Sequence, residues 1–158
     1  AIQQLESQPF KKMILLAPPL ETRFYSRAAL AIPGPGSWMI PSKNHPDYRV
    51  NRGTSLGAYR ALFALQDECR EGIQEKLNIE TLALINPRDE LVSASGMLRR
   101  VATAGWTRWQ LETVPKLHPS LTPVYQHLMI DEPSMGPEQW KWLQDKIMNF
   151  LGLSPANP

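Results

Sequence analysis

Asp89, His127 and Ser55 are the side chains whose types and spacing could do chemistry together. Asp89 follows the apolar run Thr81-Leu82-Ala83-Leu84-Ile85 by four residues, within Asn86-Pro87-Arg88-Asp89-Glu90-Leu91-Val92. A carboxylate just past the carboxyl end of a buried parallel strand points into the crevice where α/β proteins bind ligands. His127 stands in Gln126-His127-Leu128-Met129-Ile130-Asp131, ahead of an amphipathic stretch that opens at Gly136-Pro137-Glu138. A neutral imidazole there can take a proton from a hydroxyl and later give it to a leaving group. The two lie 127 − 89 = 38 residues apart, room for one helix and one strand. An acid beyond a buried strand, then a histidine before the last helix, is the second half of a charge-relay site.

Ser55 is the candidate nucleophile. Gly53-Thr54-Ser55-Leu56-Gly57 matches G-x-S-x-G and opens a helix, and the order Ser55, Asp89, His127 suits a relay. The strain of a nucleophile elbow must be held by a central buried strand. The preceding residues, Pro46-Asp47-Tyr48-Arg49-Val50-Asn51-Arg52, hold one aliphatic residue and three charges, a poor central strand. Ser55 then reads as the N-cap of the helix at Leu56. The other two also have plain readings: Asp89 as a turn aspartate capping the next helix, His127 as a loop histidine held by a hydrogen bond. His118, beside Pro119, and His45, in a proline-rich segment, are weaker candidates for the base.

The elements that must position these residues follow from patterning. Residues 2 to 8 read as the end of a helix closed by Pro9. Phe10 to Ala17 is nearly continuous in apolar residues and stops at Pro18-Pro19, as a strand buried on both faces does. From Leu20 to about Arg52 no period is sustained, and Pro33-Gly34-Pro35-Gly36 and Pro41 interrupt the chain. A loop of that length inside a domain is usually functional, so residues 20–55 read as a lid-like insertion. Leu56 to Leu77 is predicted helical, with Leu62, Leu65, Cys69, Ile73 and Leu77 as its apolar stripe. Thr81 to Ile85 is a strand, and Ser95 to Ala104 a helix with Met97, Leu98 and Val101 inward and Gly105 as its stop. Trp109 to Val114 alternates and meets Pro115, so it reads as a more peripheral strand. The closing helix starts with Pro137 in the first turn and buries Trp140, Leu143, Ile147, Phe150 and Leu151. Strand, long insert, helix, strand, helix, strand, helix means α/β: a parallel sheet flanked by helices.

Composition narrows the function classes. With 158 residues, 42% apolar and 20% charged, the chain suits one globular domain over residues 1–158. A net charge of +2 with scattered basic residues gives no nucleic-acid footprint. Cys69 is alone, which excludes an internal disulfide and a cysteine-pair metal site. No apolar run approaches the ~18 residues of a membrane span. The start, Ala1-Ile2-Gln3-Gln4-Leu5, is no signal peptide, which favours the cytoplasm, and it reads as a chain entered midway through a helix.

The acid-bearing run Asn86 to Val92 and the histidine run Gln126 to Asp131 resemble, in that order, the C-terminal part of the α/β-hydrolase family, including its esterase, lipase and serine aminopeptidase-like branches. The resemblance implies a serine hydrolase acting through an acyl-enzyme, with Asp89 as acid and His127 as base, and with no cofactor or metal. It places Lys12 to Ala17 as the strand after the elbow helix, residues 20 to 78 in the lid position, and the nucleophile upstream of Ala1. This chain alone is then expected to be inactive, its sheet completed by the N-terminal half of the same fold or by another chain. Trp38, Met39, Ile40 and Tyr48 suggest an apolar acyl ester as substrate, with an amide open. The rival expectations are a catalytically inactive hydrolase-like binding or interaction module, and a small complete hydrolase using Ser55.

Overall fold

Glu80–Ile85 forms the strand around which everything else is arranged, in a computed structural model that describes residues 10–153 except 43–44, 50, 72–73, 117–118 and 121–123. In chain order the elements are β1 (Lys12–Leu16), β2 (Met39–Pro41), β3 (Gly53–Ser55), α1 (Leu56–Glu71), β4 (Glu80–Ile85), α2 (Ala94–Thr103), β5 (Trp109–Thr113), α3 (Glu132–Met135) and α4 (Pro137–Leu151). Strands β1, β4 and β5 make a parallel sheet in the order β1-β4-β5. Leu16 pairs with Leu84 across one side of β4, and Ile85 with Thr113 across the other. The protein is therefore α/β, as its order of elements predicts, and both of its crossovers contain a helix.

Alternation along β4 builds two cores. Ala83 and Ile85 face Val92, Met97, Trp106 and Trp109, while Leu82 and Leu84 face Val114, Met129, Met135, Leu143 and Phe150. A strand sandwiched in this way has no polar face, which is why its sequence reads as an unbroken apolar run. Strand β1 differs from expectation: its residues are half-buried or exposed, because it is an edge of the three-stranded sheet with β4 on one side only among the described residues.

Three further readings need correction. Helix α1 is described over Leu56–Glu71, Gln74–Leu77 is a 3-10 turn, and Ile73 of the expected stripe lies outside the described residues. Its buried face is Leu56, Phe63 and Gln66, whereas Leu65 is half exposed. Gln66 is drawn in because its side-chain amide donates to the Pro19 carbonyl, and Arg27 packs over the Phe63 ring at 5.2 Å. Spacing alone cannot choose between two faces when polar groups have partners inside. Leu98 and Leu151, expected to be buried, are 58% and 40% exposed. Gly105 with φ of 66° and Gly136 with φ of 89° occupy backbone conformations that side chains disfavour, and they separate α2 from β5 and α3 from α4. The helix expected over residues 2 to 8, and His118, lie outside the described residues. No helix among the described residues is long and apolar enough to cross a membrane.

Between β1 and α1 the chain forms a 3-10 segment (Phe24–Ala31) and an antiparallel β2–β3 ladder in which Met39 faces Ser55. Its start is fastened to the turn after β4. The Arg23 amide donates to Leu91 O, the Ser93 amide donates to Glu21 O, and Thr22 bridges Val92.

Candidate active site

The turn after β4 is built by two side chains that accept from their own backbone. The Asn86 side-chain oxygen takes the Arg88 amide at 2.7 Å. Asp89 Oδ1 takes the amides of Leu91 and Val92 at 2.7 and 2.8 Å. This is the turn-capping role, and it uses one oxygen. The other, Oδ2, is buried and has no hydrogen-bond partner among the described residues, on a residue with no exposed surface. A buried carboxylate oxygen left without a donor is costly, so this oxygen is a place where a donor would be stabilising.

His127 is held beside it by a short loop fastened at several points. Glu90 accepts the Gln126 amide on both carboxylate oxygens, at 2.8 and 3.0 Å, and the His127 amide at 3.1 Å. The same Glu90 Oε2 lies 3.0 Å from His127 Nδ1. From the opposite side the Lys116 ammonium donates to the carbonyls of Tyr125 and Leu128. Asn86 Nδ2 donates to Gln126 Oε1 at 2.8 Å, and Leu128 and Met129 anchor the loop in the core. Asp131 then caps α3 and accepts from the Tyr48 hydroxyl at 2.5 Å, tying the 20–55 segment to the histidine loop.

Asp89 and His127, predicted as a pair, are thus brought together with Glu90, which sequence reasoning passed over. One carboxylate oxygen from each acid and a ring nitrogen of His127 lie within 4.8 Å of one another. Glu90 adjoins Asp89 in sequence, but nothing in its own type or spacing announces a role. Its importance comes from the His127 loop folding back onto it. An ionised carboxylate can only accept, so the contact calls for a proton on Nδ1, and in the neutral ring Nε2 then holds the lone pair.

The electrostatics are mixed. Burial opposes the charge of Glu90, but the Gln126 amide, the His127 ring and the His127 amide outweigh it and hold the carboxyl below its usual value. Burial pushes the Lys116 ammonium down to about 8, against the attraction of Glu90, Asp131 and Asp89. The Tyr48 hydroxyl is pushed up to about 12, first by its hydrogen bond to Asp131. Two acids and a histidine at this spacing could also hold a divalent cation. The Glu90 oxygens, however, already accept two amides, and an ammonium shares the same field, so the donor set fits a metal poorly. A cavity of about 360 Å³ opens beside the cluster at the ends of β4 and β5, between Asn86, Arg88, Pro115, Lys116 and Gln126.

Ser55 stands apart from this cluster. Its Oγ accepts the Ala58 amide at 3.1 Å, as an N-cap of α1 does, and no hydrogen bond joins it to His127 or Asp89. The strand before α1 is the short antiparallel β3, not a member of the parallel sheet. His45 is also a cap, its Nδ1 accepting the Asp47 amide at 3.3 Å. No family model, curated protein or solved structure matches the chain.

Proposed function

We propose that Asp89, Glu90 and His127 are the proton-handling part of a serine hydrolase of the α/β-hydrolase type, cleaving a carboxylic ester or an amide through an acyl-enzyme. One observation carries the reading: at the carboxyl end of the central strand, a histidine rests its Nδ1 on a carboxylate while a second, buried carboxylate in the same cluster has an oxygen without a partner among the described residues. In that arrangement His127 Nε2 removes the proton from an attacking hydroxyl, the imidazolium is stabilised by the flanking acids, and the proton passes to the leaving group. The nucleophile is a serine other than Ser55, whose hydroxyl is engaged as a helix cap on a strand outside the parallel sheet. The 20–55 segment serves as a lid. Trp38 and Met39, more than half exposed on it, favour an apolar acyl group.

The same capping contact of Ser55 favours the second reading, an inactive hydrolase-like interaction module. A fluorophosphonate probe applied to the natural-length gene product, followed by peptide mapping, decides. Labelling at a serine other than Ser55, slowed roughly 10²–10⁴-fold by His127→Ala, is the expected result. Labelling of Ser55 would make the chain a small complete hydrolase. Absence of labelling would leave the interaction module.

A further inference from the structure

A second cavity, of about 370 Å³, lies where the chain leaving β1 crosses α1 and the start of α2. Four of its lining residues are Arg23, Arg27, Arg70 and Arg99. Among the described residues two carboxylates form ion pairs with them. Glu21 holds Arg70 at 2.8 Å, and Asp67 holds Arg27 at 2.6 Å and Arg70 at 3.3 Å. The Arg23 guanidinium donates to the carbonyls of Asp89 and Pro87, at 2.5 and 3.3 Å, which satisfies N–H groups without neutralising the charge. Arg99 is exposed and makes no ion pair among the described residues. Arg23 and Arg99 therefore bring two guanidinium charges to the concavity that no carboxylate among the described residues pairs with. Arg27 Nε is in addition buried without an acceptor among the described residues.

Like charges gathered at a cavity repel unless a counter-ion joins them, and the planar guanidinium fork matches phosphate oxygens two at a time. The rim supplies a further clue. Phe24, which also lines the cavity, is 90% exposed and meets Tyr25 edge-on at 5.5 Å. A phenyl ring so exposed beside arginines offers a stacking face to a flat apolar group. We infer that this cavity binds a phosphate monoester whose alcohol part is flat and apolar. A dianion matches the two charges of Arg23 and Arg99, which a single carboxylate would not. The volume is at the small end of ligand sites and suits a phosphate with a ring or two. The inference does not depend on the hydrolase reading, because none of its lining residues belongs to the Asp89, Glu90 and His127 cluster.

Isothermal titration of the full chain with phenyl phosphate, inorganic phosphate and benzoate tests it. Phenyl phosphate is expected to bind saturably and more tightly than either of the others. Arg99→Ala weakens it about tenfold, the size of one charge-assisted contact. Phe24→Ala reduces phenyl phosphate to the level of inorganic phosphate. Lys141→Ala, which removes an exposed cation on α4 paired with Asp145, leaves binding unchanged. Both Arg99 and Phe24 are exposed, so circular dichroism should report an intact fold in either variant. No saturable binding of phenyl phosphate, benzoate binding as tightly, or equal losses in Arg99→Ala and Lys141→Ala would overturn the inference.

Discussion

Asp89 divides its two carboxylate oxygens between different tasks, and substitutions can separate them. In Asp89→Asn the side-chain oxygen still accepts the amides of Leu91 and Val92, so the turn survives while the negative charge is lost. The expected outcome is a stability within about 1 kcal/mol of the parent and a probe-labelling rate lower by roughly 10²–10⁴-fold. Asp89→Ala strands both amides and should cost about 2–4 kcal/mol by urea unfolding. If Asp89→Asn labels at the parent rate, Asp89 is only a turn residue. Glu90 and Lys116 give the pH dependence. The folded-state Glu90 carboxyl lies below its ordinary 4.5, so its contribution is complete above 4.5 and disappears as the pH falls through the folded value. Glu90→Gln should flatten that acid limb in a series of urea midpoints. Lys116 gives a slope of the same sign for a different reason, burial that opposes its charge. Between about 8 and 10.5 the unfolded chain binds more protons at this group, so stability at this site rises with pH across that window. In Lys116→Met the rise is expected to vanish.

At the scale of elements, the helix start at Ser55 is a matter of capping. Ser55→Ala removes the acceptor for the Ala58 amide and should cost about 1 kcal/mol in thermal unfolding, with no effect on labelling at another serine. A variant that keeps full stability but loses labelling would assign Ser55 to chemistry instead. The parallel strands and the start of α4 at Pro137 were legible because long apolar runs and first-turn proline reflect local constraints. The inward face of α1 was not, because Gln66 and Phe63 are placed by Pro19 and Arg27, partners far away in sequence. The short α3 was likewise hidden: its capping box on Asp131 and Ser134 spans a single turn, too brief to show a period.

For the whole molecule the telling feature is the outer edge of β1. Among the described residues β1 pairs with β4 alone, and Leu16 and Phe10 are 38% and 53% exposed near it. An apolar strand with a free ladder edge pairs with whatever strand it meets. Sedimentation of the 158-residue chain is expected to show concentration-dependent association, reduced in Leu16→Lys. A monodisperse monomer across micromolar concentrations, unchanged in that variant, would count against an additional strand at this edge, and so against a larger sheet completing the fold.

By itself, the sequence determined the three strands of the main sheet and the longer helices beside them, that this sheet is parallel, and that Asp89 and His127 sit at its carboxyl end. Those properties follow from local patterning and from the chirality of crossovers, which act over tens of residues. Only the tertiary structure decided that Glu90 holds the histidine loop, that one Asp89 oxygen is buried with no partner among the described residues, and that four arginines meet at one cavity. Each depends on backbone amides or charges brought together from separate turns, and no spacing along a chain encodes which loop will fold back onto which acid.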